Sequence, residues 1–400
     1  MAQWLRKVAV TRGDGLAWAA VPAADAVPAA DLYSGTAGVV LFFLDLYQAT
    51  SDPADLATAR AGSDWLLTQV DGETSAGLYT GLAGLGGTLT RTWRATQDAR
   101  YRDGAHRVVD RLTAEAKAVE DGVEWSASSD VISGTAGIGL SLIDAARDLD
   151  RLDALDLAAS AGRRLLKQAV AAEGGLNWAM TPSEPLCFYP NFSHGTAGIA
   201  YVLAKLHQAT GERAFLDGAI AGARYLTTVA RTDDGEVCLV FHHEPEAAGR
   251  DLYYLGWCHG PAGTCRLFHQ LALSTGDDQW QHWRARSAHA LQRSGLPEPE
   301  TPGFWNNQGR CCGSAGIADF LLSYHQWTGD DSALALARRI TTAILDRATR
   351  DDSGLRWIHA EHRLQPQTLA AQTGWMQGAA GIGAWLLRLD GFERGRRDGY

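Results

Sequence analysis

The chain has 400 residues, 46% of them hydrophobic, with 36 basic against 46 acidic side chains and a formal charge of −10 at neutral pH. No Pro-rich, Ser-rich or charge-run stretch divides it, so one domain over 1–400 with a large core is expected. The acidic balance and scattered arginines exclude nucleic acid as the main partner; the lack of a roughly 20-residue apolar run and of a secretory signal excludes membrane insertion and points to the cytoplasm.

In chain order, MAQWLRKVAV at 1–10 is a short helical candidate, and a repeat organises the rest of the chain. Seven G-x-x-G tetrads occur: GTAG at 35–38, GLAG at 81–84, GTAG at 134–137, GTAG at 195–198, GPAG at 260–263, GSAG at 313–316 and GAAG at 378–381. In five of them a turn begins fourteen residues after the first glycine: ATSD at 49, ATQD at 95, ATGE at 209, STGD at 274 and WTGD at 327. Between the two markers the sequence is apolar nearly all round, as in VVLFFLDLYQ at 39–48, IGLSLIDAAR at 138–147 and IADFLLSYHQ at 317–326, which predicts helices buried on most faces. After each turn comes an amphipathic stretch of about twenty residues, such as 53–70 or 212–230, with apolar residues at three- and four-residue spacing. Seven inner and six outer helices result, and the N-terminal stretch supplies a short seventh outer element. That pattern predicts an all-α protein, a double-layered α/α toroid. The paired glycines lie three apart and let each inner helix begin in close contact with its surroundings.

In such a ring, residues just before equivalent inner helices meet at one pole, so those positions separate structural repeats from chemical ones. The first two repeats offer Tyr33-Ser34 and Tyr79-Thr80, the third Asp130, the fourth His194, the fifth Trp257, Cys258 and His259, the sixth Cys311 and Cys312, and the seventh Met376-Gln377. Three of the six cysteines therefore hold equivalent positions in consecutive repeats. Cys187, Cys238 and Cys265 do not, and Cys265, inside an inner helix, reads as core.

Six cysteines in so long a chain are not the framework of a small secreted domain. Three thiols near helix N-termini suit a zinc site, because the helix dipole favours thiolate and zinc favours tetrahedral sulfur and nitrogen ligands. Buried cysteines or a vicinal Cys311-Cys312 disulfide are the competing readings. His259 is a candidate fourth ligand or, preferred here, a substrate contact beside Trp257. His194 fits either a packed histidine or a general acid/base, and Asp130 either a helix cap or a partner to that chemistry.

With SHGTAG at 193–198, WCHG at 257–260 and CCG at 311–313, the chain resembles the lanthionine synthetase C-like family of lanthipeptide cyclases, from DLYSGTAGVV at 31–40 to GWMQGAAGIG at 374–383. The resemblance implies an α/α toroid of seven inner and seven outer helices holding one zinc ion at Cys258, Cys311 and Cys312, with His194 as catalytic histidine and Asp130 as active-site aspartate. Many members have Cys-His-Gly where this chain has Cys-Cys-Gly, which implies an all-sulfur zinc subgroup. Some carry an arginine where Tyr254 stands. The implied reaction adds a peptide cysteine to dehydroalanine or dehydrobutyrine, giving a lanthionine or methyllanthionine thioether. Its implied partner is a dehydrated precursor peptide, with dehydration supplied by a separate kinase/lyase or dehydratase. The alternatives are glutathione addition to dehydrated residues and a zinc-stabilised scaffold that docks on a partner synthetase. The loops at 173–193 and 232–256 are expected to lie at the active pole and contact substrate.

Overall fold

The computed structural model describes residues 1–181, 187–242, 252–298, 301 and 303–396. Among them are fourteen helices in the predicted alternation. After α1 (Ala2–Val8), the inner helices are α2 (Thr36–Thr50), α4 (Leu82–Thr96), α6 (Thr135–Asp148), α8 (Thr196–Thr210), α10 (Pro261–Thr275), α12 (Ser314–Thr328) and α14 (Ala379–Glu393). Each starts on the residue after the first glycine of its tetrad. The outer helices are α3 (Pro53–Gln69), α5 (Ala99–Glu115), α7 (Leu152–Gln168), α9 (Arg213–Val229), α11 (Asp278–Gln292) and α13 (Asp331–Asp346).

The inner helix α2 buries every residue from Thr36 to Asp45. The outer helix α9 buries Phe215, Leu216, Gly218, Ala219, Gly222, Ala223, Tyr225 and Leu226, one stripe at helical spacing, and leaves its other face wet. Inner and outer helices pair in sequence order: α2 with α3, α6 with α7, α8 with α9, α10 with α11 and α12 with α13.

In two of the turn tetrads the threonine closes one helix and the acid opens the next. In ATSD, Thr50 Oγ1 donates to Leu46 O at 2.9 Å and accepts from Asp52 N at 3.1 Å, closing α2, while Asp52 Oδ1 accepts from Ala54 N at 2.9 Å and opens α3. WTGD repeats this around Thr328 and Asp330. One four-residue stretch thus satisfies free backbone groups of two helices.

Four antiparallel hairpins are not evident from the sequence: β1 (Val10–Arg12) with β2 (Gly15–Ala17), β3 (Lys117–Val119) with β4 (Gly122–Glu124), β5 (Val170–Ala172) with β6 (Gly175–Asn177), and β7 (Thr349–Asp351) with β8 (Gly354–Arg356). Each comes after a helix and leads to a buried tryptophan whose indole N–H donates to the carbonyl thirteen residues earlier, near that helix's end: Trp18 to Leu5, Trp125 to Leu112 and Trp178 to Leu165, all at 2.7 Å, and Trp357 to Ile344 at 2.8 Å. Because Leu5 shares this bond, α1 takes the place of an outer helix, as expected. A fifth pair, β9 (Ile358–Ala360) with β10 (Leu369–Ala371), lies before α14.

The chain forms two compact units, one of Met1–Thr74, Gly84–Val108 and Phe304–Tyr400, the other of Ser75–Ala83 and Val109–Gly303. Within the first, α12 packs on α14 and α14 on α2; within the second, α6 packs on α8 and α8 on α10. No helix among the described residues is long and apolar enough to cross a membrane.

Candidate metal and acid–base site

Each inner helix is reached by a lead-in segment that doubles back against its own first turn. At α8 the amides of Thr196 and Ala197 donate to Tyr189 O and Pro190 O at 3.2 and 3.0 Å, so backbone rather than a side chain satisfies them. Only glycine permits that approach: a Cβ on Gly195 would stand 1.2 Å from Tyr189 O, and one on Gly263 of α10 would stand 1.9 Å from Trp257 O. The tetrad therefore makes room chiefly for the lead-in that carries the chemistry, and less for neighbouring helices.

Successive lead-ins are tied to each other by backbone. Two residues before the tetrad, Tyr79 N donates to Ile132 O and Ser193 N to Cys258 O, both at 2.9 Å. In the first unit Cys311 N donates to Met376 O at 2.8 Å and Met376 N to Tyr33 O at 2.9 Å.

In the second unit these ties align Asp130, His194, Cys258 and His259. Asp130 is fully buried; its Oδ1 accepts from Ser133 N at 2.9 Å and its Oδ2 lies 2.5 Å from His194 Nδ1. Its side chain does not cap α6, whose first amide is taken by Ser128 O at 3.0 Å and whose third by the Asp130 backbone carbonyl at 3.1 Å. A carboxylate accepts, so Nδ1 carries the hydrogen of this contact and Nε2 is left for other partners. The His194 ring has 29% side-chain exposure, so it is positioned by a buried group yet open to a substrate.

His259 is buried, with its ring centroid 5.6 Å from that of His194, 5.4 Å from Tyr189 and 4.3 Å from His242. His242 in turn lies 4.3 Å from the Tyr254 ring. Trp257 is buried too, packed on Tyr79 at 5.5 Å and Phe192 at 5.4 Å. The two long loops thus bring Tyr189, His242 and Tyr254 beside the site residues; their stretches 182–186 and 243–251 lie outside the described residues.

All six cysteines are free thiols, so Cys311 and Cys312 form no vicinal disulfide. Cys258 lies in the second unit; in the first, the sulfurs of the neighbouring Cys311 and Cys312 lie within 4.8 Å of each other. Tetrahedral zinc with Zn–S bonds of about 2.3 Å needs sulfurs about 3.8 Å apart, which the Cys311-Cys312 pair reaches with small side-chain movements. The donor set therefore fits a zinc ion. Cys238 and Cys265 are different: burial pushes Cys238 up to about 12 and Cys265 higher still, so both are protonated core thiols.

Around Cys311 and Cys312 the first unit adds residues whose chemistry the sequence alone does not reveal. Gln377 Nε2 donates to Tyr33 Oη at 3.0 Å and to Cys312 Sγ at 3.4 Å. Burial, then the charges of Cys311 and Cys312, hold the Tyr33 phenol well above its usual range, so it stays protonated. Buried His359 is pushed down to about 4, chiefly by desolvation, and is a neutral imidazole. Gln377 directly precedes its tetrad as His194, His259 and Cys312 precede theirs, so its position is legible in the sequence even though its function is not.

A model of the family described as "Lanthionine synthetase C-like protein" matches residues 27–394. None of the curated proteins matches the sequence. Among solved structures, nisin cyclase aligns over 97% of this chain and 92% of its own at 16% identity, with a TM-score of 0.70. A GH76 α-mannanase of Bacteroides thetaiotaomicron aligns over 98% and 96% at 12% identity and a TM-score of 0.54. A sugar epimerase from a ruminal bacterium aligns over 79% and 87% at 14% identity and the same TM-score, 0.54. These likenesses concern the fold, which is all-α and of the α/α toroid class.

Proposed function

The chain belongs to the lanthionine synthetase C-like family, and we propose that it is a zinc-dependent lanthipeptide cyclase, joining cysteine thiols of a dehydrated precursor peptide to its dehydroalanine or dehydrobutyrine residues. The observation that carries this reading is the placement of Cys258 and of Cys311-Cys312 at the lead-ins of successive inner helices, a thiol donor set that suits zinc, in a chain that the family model matches over residues 27–394. The fold alone could not carry it, since carbohydrate-active enzymes are built on similar frames.

Cys258, Cys311 and Cys312 would hold the ion. Bound zinc would lower the pKa of a peptide thiol there, so that it reacts as thiolate at neutral pH. The remaining steps fall to the chain. In the addition, sulfur bonds to the β-carbon of the dehydro residue and the α-carbon gains a proton, so the thiol's proton reappears in the product. His194, held through Nδ1, accepts and returns that proton at Nε2. Asp130 fixes the tautomer and stabilises the imidazolium while the proton is in transit. His259, with Tyr189 and His242, stands beside the His194 ring and orients the peptide, and Trp257 backs this wall through Phe192.

The test is incubation of the zinc-loaded protein with a dehydrated, cysteine-containing peptide, with and without glutathione, then alkylation of free thiols and fragmentation. Intramolecular thioethers formed without glutathione support the cyclase. Products formed only with glutathione would make the chain a glutathione-adding relative, and no product in either arm would leave a zinc-stabilised scaffold.

A further inference from the structure

Gln377 forms the end of a directed chain of hydrogen bonds that reaches the Tyr33 hydroxyl and the Cys312 sulfur. The direction is fixed from the far end. Asn307 Nδ2 donates to Ala360 O at 3.0 Å and Glu361 O at 3.3 Å, and Asn307 Oδ1 accepts from Gly309 N at 2.8 Å. Backbone carbonyls only accept and amides only donate, so the Asn307 amide has one orientation. Its Nδ2 also donates to Gln377 Oε1 at 3.0 Å, which turns Gln377 Nε2 toward Tyr33 Oη and Cys312 Sγ. Since Tyr33 Oη accepts from Gln377, its own hydrogen is free to turn toward Cys311, whose charge helps to raise the phenol. Gln377 is 1% exposed, and Tyr33 is largely covered.

We infer that Tyr33 and Gln377 are positioning residues for the thiol centre, aiming an O–H donor at Cys311 and an N–H donor at Cys312 to withdraw electron density from the two sulfurs. The inference rests on the reading that Cys258, Cys311 and Cys312 hold zinc. Its physical basis is charge. Three thiolates outweigh a dication, and hydrogen bonds to anionic sulfur are the strong, charge-assisted kind. Each donor lowers the electron density on its sulfur and stabilises the thiolate against protonation, so that protons compete less with a metal ion at neutral pH. In an all-sulfur site they replace part of the moderating effect that a neutral imidazole ligand has in a Cys-His-Gly relative. They also hold the ligand rotamers, because Tyr33 and Gln377 come from the lead-ins of α2 and α14, which are tied through Met376 to the lead-in of α12.

The experiment uses the full chain loaded with Co²⁺, whose sulfur-to-metal charge-transfer absorption reports electron density on the ligands directly, together with zinc affinity by chelator competition. Tyr33→Phe and Gln377→Met each remove one donor while keeping bulk, and circular dichroism checks folding. Each variant is expected to move the charge-transfer band to longer wavelength, the double variant furthest, with zinc affinity in the double variant falling about 10- to 100-fold. A band and affinity unchanged in the folded variants overturn the inference while leaving the zinc reading intact. Should Gln377→Met fail to fold, Tyr33→Phe, which loses a single hydroxyl, decides alone. A wild-type chain that takes up neither cobalt nor zinc overturns the zinc reading and this inference with it.

Discussion

Asp130 Oδ2 stands 2.5 Å from His194 Nδ1, with the carboxylate at 0% and the imidazole at 29% side-chain exposure. A hidden acceptor holding a reachable base is an arrangement for moving protons. Replacing His194 with Ala is expected to lower the cyclisation rate about 10²- to 10⁴-fold while leaving fold and metal content unchanged. Asp130→Asn offers an N–H to Nδ1 and so inverts the tautomer, which should cost a comparable factor. Single-turnover thioether yields read by mass spectrometry check both. Wild-type rates in Asp130→Asn would remove the pair from the mechanism.

Metal analysis should give about one zinc per chain. Cys258→Ser and Cys311→Ser are each expected to remove most of it, and a strong chelator should stop ring formation until zinc is restored. Cys312→His should keep the ion, since imidazole is an equally good ligand, yet alter the rate by reducing the negative charge at the centre. Equal rates for Cys312→His and wild type would show that ligand charge does not set reactivity.

Two glycine substitutions should differ sharply in thermal unfolding. Gly211 has φ +77° with nothing within 4 Å of an added Cβ, so Gly211→Ala pays only for the left-handed backbone, about 1–2 kcal/mol. Gly195→Ala would drive a methyl into Tyr189 O and should cost at least about 3 kcal/mol, the upper end of overpacking effects. It should also displace His194, so surviving protein would be slow as well as unstable. Similar unfolding midpoints for the two variants would refute the backbone account of the tetrad.

His269 is pushed down to about 4, first by burial and then by Arg284 and Arg266. Arg284 Nη1 lies 3.1 Å from its Nδ1, a contact that suits the neutral ring. The unfolded chain, with an ordinary histidine near 6.5, binds a proton that the native state refuses. Stability is therefore full above about pH 6.5 and declines as pH falls toward 4. His269→Gln should flatten that decline in urea midpoints measured between about pH 7.5 and 5. An unchanged slope would mean that other groups dominate it.

The helices and thiols are legible because both come from counting. Apolar runs between tetrad and turn mark the inner helices, and position before the tetrad marks Cys258, Cys311, Cys312 and His194. The hairpins escape because three-residue strands are too short to show alternation, and their meaning lies in Trp18, Trp125, Trp178 and Trp357 reaching back to a helix end. Asp130 resembles a cap because the sequence cannot show that Ser128 O already holds the first amide of α6. Tyr189 and His242 sit in loops without periodicity. Gln377 occupies the right position, but its chemistry depends on which way its amide faces, and Asn307, seventy residues away, decides that.

The hydrogen bonds between neighbouring lead-ins join residues of equal rank: Tyr79 to Ile132, Ser193 to Cys258, Cys311 to Met376 and Met376 to Tyr33. Backbone makes these links, so they are indifferent to the side chain each residue bears. Ile132 and Met376 hold the same address as Cys258 and Cys311 yet carry no reactive group. Such a scaffold separates where a reagent stands from what the reagent is. A change of one residue at such an address can deliver a new functional group to the same workplace, and Cys258 and Cys311, where other repeats carry Ile132 and Met376, show two addresses so used.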